Sequence, residues 1–253
     1  MKRSVKELIG YSIFAKDGIK GDVSDFLFDE DTWTVRYLEA DLGNWFKGRR
    51  VLVPRVFLGE PEWNNSQFKI HLTKDALKDC PDRDDHKPVS RKYEELLNKH
   101  FSISNYWGVT GMTAPAAYPL PWSIGREHIP SSIKTDAEQE SKLRSFKELK
   151  GYRVECSDKK KGHVKDFVID DNTWQILFLI VDVGQWTSNK DKLVALPISQ
   201  IESINFIEKS MGIYMDSVTL EESPEFQPDQ PINIEYEKNL YDFYGRKVEQ
   251  RQY

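Results

Sequence analysis

Long apolar runs are missing from this chain of 253 residues; the longest, Ile176 to Val181, is broken by Asp182. A helix that crosses a bilayer needs about 18 or more such residues, so no transmembrane segment is expected. The opening MKRSVKELIGYS is positively charged but leads into no apolar core, which argues against a secretory signal. Cysteine is scarce: Cys80 and Cys156 are the two in the chain, a usage compatible with a reducing cytoplasm. Five histidines are scattered without metal-ligand spacing. A block of one charge sign is missing too. With 36 basic and 41 acidic residues the net charge is −5, and the excess lies wholly in residues 145–253, which carry 14 basic and 19 acidic side chains. No segment is strongly basic, so there is no strong nucleic-acid signal, although a local patch stays open.

What is present is a duplication. Residues 6–46 recur at 147–187, with 18 of 41 aligned positions identical. A chain with that much self-similarity is two copies of one unit. Whatever both copies keep serves either the folding of the unit or a task that both perform. The thiols fall outside that set, since Cys80 aligns with Ser223 and Cys156 with Ala15. A thiol chemistry or a metal site shared by the copies is thereby excluded.

Within each copy the signals are those of short strands and tight turns. Leu8-Ile9-Gly10-Tyr11 is matched by Leu149-Lys150-Gly151-Tyr152, and Gly21-Asp22-Val23-Ser24-Asp25-Phe26 by Gly162-His163-Val164-Lys165-Asp166-Phe167. The turn Asp29-Glu30-Asp31-Thr32 is matched by Asp170-Asp171-Asn172-Thr173, where Asx and Thr side chains bond local backbone N–H groups. A third strand is expected to begin at Trp33 and Trp174, with Trp33, Val35 and Tyr37 on one face. It ends at Asp41-Leu42-Gly43-Asn44-Trp45 and at Asp182-Val183-Gly184-Gln185-Trp186. A fourth strand runs into Pro54 in one copy and Pro197 in the other, and further strands fit 67–72 and 212–215. Five or six short strands per copy suggest a small closed or partly closed barrel.

A matching tail follows each copy. Tyr93, Leu96, Leu97 and Phe101 fall at helical spacing, as do Tyr236, Leu240 and Phe243. The expected fold class is therefore all-β with minor α, two small β-barrels each followed by a short helix. The domain reading is 1–83 for the first barrel, 84–144 for a helix and a proline- and aromatic-rich connector, 145–226 for the second barrel and 227–253 for a helical tail.

The ordered set of an opening Leu-x-Gly, a Gly-x-Val-x-Asp with a further Asp four residues on, an Asp-x-Gly-x-Trp turn and a strand ending in Pro, seen twice, resembles the PRC-barrel family. The resemblance covers about 160 of the 253 residues. That family's module forms the cytoplasmic part of the photosynthetic reaction-centre H subunit and the C-terminal domain of a ribosome-maturation factor, in docking and scaffolding roles. The H subunit's N-terminal membrane helix has no counterpart here, and a second barrel stands where the maturation factor has another domain. Neither specific function transfers.

Candidate sites divide by whether they recur. Asp25 and Asp166 recur without a base or metal partner, so each is read as an acceptor of backbone N–H bonds. Trp33, Trp45, Trp174 and Trp186 are read as core rather than base-stacking platforms, because no basic groove accompanies them. Lys159-Lys160-Lys161 and Asp29-Glu30-Asp31 are read as solvated turns. No catalytic, cofactor or metal residues are assigned, and the protein is not expected to be an enzyme. Arg36 and Glu39 become Leu177 and Ile180 in the second copy, so that strand reads apolar on both faces and is expected to be covered. In the connector, Tyr106, Trp107, Tyr118 and Trp122 are the candidate protein-contact residues, among prolines that lower the cost of ordering.

The function expected is a non-catalytic protein-binding or scaffolding module in the cytoplasm, with a membrane-associated or electron-transfer complex as one setting. The partner is a protein of unknown identity, and a homodimer is compatible with the pattern. The competing reading is an RNA- or ribosome-associated factor.

Overall fold

The sheet reads as a palindrome. In the computed structural model, which describes residues 2–43, 48–82, 88–107, 141–185, 190–228, 230 and 232–249, the first copy contributes β1 (Lys2–Ser4), α1 (Val5–Leu8), β2 (Ser12–Ala15), β3 (Gly18–Asp29), β4 (Thr34–Asp41), β5 (Arg50–Pro54), β6 (Leu58–Glu62), β7 (Gln67–Ile70) and α2 (Lys74–Lys78). After α3 (Arg91–His100) the second copy repeats them as β8 (Leu143–Ser145), α4 (Phe146–Leu149), β9 (Arg153–Glu155), β10 (Lys161–Asp170), β11 (Gln175–Asp182), β12 (Leu193–Pro197), β13 (Ile201–Asn205), β14 (Ser210–Ile213) and α5 (Ser217–Glu222), followed by α6 (Ile234–Glu249). Strand order is β13-β14-β9-β10-β11-β4-β3-β2-β7-β6, with β5 and β12 flanking β4 and β11. Each strand of one copy thus has its counterpart at the mirrored place. The centre of the palindrome is narrow: Gln175 pairs with Thr34, Val35 N–H donates to the Trp174 carbonyl, and Ile176 N–H donates to the Trp33 carbonyl. Those reciprocal bonds mark a pseudo-twofold axis.

Two compact units divide the chain: Met1–Asp79 with Lys142–Tyr253, which holds both barrel copies, and Cys80–Ser141. The first unit is built by exchange. The opening strand of copy one, β1, pairs with β10 of copy two, and β8 pairs with β3 of copy one. The crossing segment returns home at a glycine. Gly10 (φ +88°) and Gly151 (φ +89°) follow α1 and α4 in the left-handed region that an L side chain rarely adopts, and donate N–H bonds to the Val23 and Val164 carbonyls. Gly21 answers a second need, because a Cβ there would run into the Asp41 carbonyl of the neighbouring strand.

The third strands start one residue later than expected. Trp33 (φ 51°) and Trp174 (φ 60°) are left-handed turn residues, each donating its N–H to the carbonyl four residues back, at Asp29 and Asp170. The carboxylates of Asp29 and Asp170 cap those turns, accepting from Thr32 N and Oγ1 and from Asn172 N, as the sequence implied. From Thr34 the strand alternates as far as Tyr37, after which Leu38, Glu39 and Ala40 are all buried.

Ring packing joins the copies. Trp174 stacks on Phe26 at 5.9 Å and meets Phe68 at 5.7 Å, both in copy one, while Phe146 meets Phe26, Phe28 and Phe167. The ring contact of Trp33 is with its own copy, a stack on Phe28 at 5.2 Å. Trp174 is core, as read from the sequence, whereas Trp33 is half-buried; Trp45 and Trp186 lie outside the described residues. At the barrel ends, Arg3 lies over Trp63 and Arg144 over Phe206, at equivalent places in the two copies.

Both tail helices form with the same local devices. Ser90 Oγ accepts from Tyr93 N–H at the start of α3, and Asn233 Oδ1 accepts from Tyr236 N–H at the start of α6. The hydroxyls of Tyr93 and Tyr236 donate to the carbonyls of Pro81 and Pro224. In the first unit α6 buries Leu240 and Tyr244 and sets Tyr241 against Phe178 of β11. Among the described residues no helix is long and apolar enough to cross a membrane.

Candidate functional site

A bulge makes the site. In β3 the register with β4 slips between Val23 and Asp25, and in β10 the register with β11 slips between Val164 and Asp166. A bulge re-aims the side chain that follows it. Here it points each carboxylate at the segment received from the other copy. Asp25 accepts from Ser145 Oγ, from Lys147 N–H at 3.4 Å and from its neighbour Phe26 N–H at 2.8 Å. Asp166 accepts from Ser4 Oγ, from Lys6 N–H at 3.0 Å and from Phe167 N–H at 2.8 Å. Ser4 and Ser145 are also the N-caps of α1 and α4, accepting from Glu7 and Glu148 N–H. The carboxylates are backbone acceptors, as expected, but their donors cross the copy boundary rather than coming only from a local turn.

Between these two caps, on the pseudo-twofold axis, lies a cleft of about 190 Å³. Its apolar wall is Val5, Ile9, Phe146 and Phe167; Asp25 and Asp166 sit within it, and Lys6, Lys147, Lys150 and Lys165 line it. All four lysines are exposed. Burial pushes the Asp25 carboxyl up to about 6, with Glu39 across the ladder adding to the rise and Ser145, Phe26 N–H and Lys147 opposing it. Burial raises Asp166 as well, against the pull of Ser4, Phe167 N–H and Lys6, but its ladder neighbour is Ile180 where Asp25 has Glu39.

A carboxyl that titrates near neutrality can serve as an acid or base when a reacting group lies in reach. Both carboxyls here are committed to helix caps through the Ser145 and Ser4 hydroxyls and the Lys147 and Lys6 N–H groups, and no histidine or cysteine lines the cleft. Cys156 lies elsewhere, a buried thiol pushed up to about 12 by burial and by Asp158 and Asp216, and Cys80 is likewise buried and outside any disulfide. Among the described residues no cluster of three or more His, Cys, Asp or Glu is placed to hold a metal ion.

Residues 2–71 and 142–213 match the PRC-barrel domain. The chain belongs to the PRC-barrel family. The two matched segments of this PRC-barrel protein are the two copies whose strands mirror each other in the sheet. A relative from Deinococcus radiodurans, described as an uncharacterized protein, is 38% identical over 72 residues, which is 28% of this chain and 26% of the relative.

The residues picked out from the sequence for partner contact fall in separate places. Tyr106 and Trp107 belong to the Cys80–Ser141 unit. There the Tyr106 hydroxyl donates to Glu94 at 2.7 Å, Arg91 bonds Glu94 and lies 4.5 Å from the Trp107 ring centre, and Ser141 Oγ donates to the same fully buried Glu94. Both aromatics are half-buried parts of that network. Tyr118 and Trp122 lie outside the described residues. In the barrel unit Ile180 is fully buried between Asp166 and Ala195 on the neighbouring strands, and Leu177 is half-buried. The cleft lysines escaped notice in the sequence. Lys6 and Lys147 occupy one repeat position in the shared Lys-Glu-Leu, a signal that was in view, whereas Lys150 and Lys165 stand where copy one has Ile9 and Ser24.

Proposed function

We propose that this PRC-barrel protein is a non-catalytic docking module that binds a protein partner. The observation that carries the reading is the use of Asp25 and Asp166. They are acidic residues kept in both copies, and each is committed to holding the other copy's first helix turn. Assembly of the paired barrel gives these two kept carboxylates a structural task, and the cleft left open at the junction has the polar rim and apolar floor of a contact site. The two buried thiols, neither of them in a disulfide, fit a reducing compartment, and the reading places the protein in the cytoplasm.

The test is affinity capture of the full chain from native cells, with stoichiometry read by native mass spectrometry. The expected result is a protein complex of fixed composition that survives about 0.3 M salt, at which long-range attraction between exposed charges is screened. Recovery of nucleic acid alone, released steeply as salt rises, would instead support an RNA-associated factor.

A further inference from the structure

We propose that the cleft on the pseudo-twofold axis receives an acidic peptide segment of the partner, anchored by one apolar side chain. This inference rests on the docking reading and adds the partner's chemistry to it. Size is the first ground. Small-molecule sites run to roughly 300–1,000 Å³, whereas this cleft is about 190 Å³. That is room for one side chain, the unit by which protein interfaces seat a hot-spot anchor.

Charge is the second ground. Four lysines converge on the cleft although the chain as a whole carries −5. Lys165 Nζ reaches Asp182 at 2.9 Å and Lys147 Nζ reaches Ser24 Oγ at 3.1 Å. Among the described residues the Lys6 and Lys150 ammonium groups make neither a hydrogen bond nor an ion pair, although the Lys6 charge acts through space on Asp166. The lysines are also distributed evenly. α1 packs on β10 and α4 packs on β3, so one half of the cleft holds Lys6, Lys165 and Asp166, and the other holds Lys147, Lys150 and Asp25. The second lysine of each half comes from non-equivalent repeat positions, Lys150 against Ile9 and Lys165 against Ser24. The frame therefore does not require those two lysines, since copy one builds the same elements without them. Phosphate-bearing nucleic acid fits less well. Single strands are held by stacking on open aromatic faces, and Phe146 and Phe167 are 4% and 1% exposed.

The experiment measures fluorescence anisotropy of a labelled peptide, Asp-Glu-Asp-Phe-Glu-Asp-Glu, titrated with the full chain. Controls replace the phenylalanine by alanine or the acids by lysine. The peptide should bind at least about tenfold more tightly than either control, a coupling of about 1.4 kcal/mol. Joint substitution of Lys6→Gln, Lys147→Gln, Lys150→Gln and Lys165→Gln alters exposed side chains only and should weaken it by at least the same factor. Ile9→Trp, which fills the cleft without changing its charge, should weaken it likewise. Equal binding of peptide and controls, binding untouched by both variants, or displacement of the peptide by a short single-stranded RNA would each overturn the inference. The captured complex separates the two readings. If the quadruple lysine variant retains it, the cleft is not the site and the docking reading stands. If the wild-type chain yields no complex, the docking reading fails and takes this inference with it.

Discussion

The two copies share a frame and differ at the residues that meet across the axis. Copy one carries Phe28 and Phe68 where copy two carries Ile169 and Met211. Ring content follows that difference: Trp33 stacks on the Phe28 beside it, whereas Trp174 has Ile169 at that place and reaches the phenylalanines of copy one. The ladder neighbours of the bulged aspartates differ in the same sense, Glu39 beside Asp25 and Ile180 beside Asp166. Duplication thus preserved the hydrogen-bonded exchange and released the side chains on the axis to become unequal partners. A shared backbone plan does not imply shared energetics.

The largest expected consequence is in the tryptophans. Trp174→Ala removes a buried ring from a mixed-copy cluster and should cost about 3–5 kcal/mol in urea unfolding. Trp33→Ala, half-buried against one ring, should cost less than half as much. Equal losses would erase the asymmetry drawn above.

Next in size is the pH dependence of the first copy. The Asp25 carboxyl titrates at about 6 in the folded chain against an unfolded value near 4, so the native state holds the proton more tightly. Its contribution to stability is complete below about pH 4 and is lost as pH rises through about 6, a decline of about 2–3 kcal/mol. Asp25→Asn should flatten that part of the stability profile, and Asp166→Asn should change it less. Glu39→Ile, which gives copy one the ladder neighbour of copy two, should lower the Asp25 titration midpoint seen by carboxyl NMR. A midpoint that stays in place would remove Glu39 from the explanation.

Smaller effects are expected at the caps. Ser145→Ala and Ser4→Ala each delete an N-cap and a bond to a carboxylate, buried at Asp25 and half-buried at Asp166, and should cost about 2 kcal/mol. Ser90→Ala deletes the N-cap of α3, with a cost nearer 1 kcal/mol in that helix's local stability, read by hydrogen exchange.

Much of the fold was legible because its signals are local. The Asx turns at Asp29 and Asp170, the strand ends at Pro54 and Pro197, and the helices after Ser90 and Asn233 each depend on residues within a few positions. The exchange was not legible. A three-residue strand such as Lys2-Arg3-Ser4 has no alternation to read, and nothing local distinguishes pairing with its own copy from pairing with the other. The nearest sequence signal was the Ser-x-x-Glu of Ser4 to Glu7 and of Ser145 to Glu148, which announces a helix start but not the carboxylate that receives it. The left-handed tryptophans were missed because bulky residues rarely adopt positive φ; here that φ lies at the junction between the turn closed on Asp29 or Asp170 and the strand that follows. The cleft was hidden for a third reason. Its lysines lie far apart in sequence, and the charge they gather appears only once α1 and α4 have changed places.

The exchange itself is open to direct measurement by hydrogen exchange on a chain carrying Arg3→Pro. A proline in β1 removes a ladder donor from a strand that pairs with Ile169 rather than with its own copy. Amides of 168–170 in the second copy should lose protection while those of 27–29 in the first keep theirs, and Arg144→Pro should give the converse. Loss of protection confined to the copy that carries the substitution would contradict the paired-barrel account.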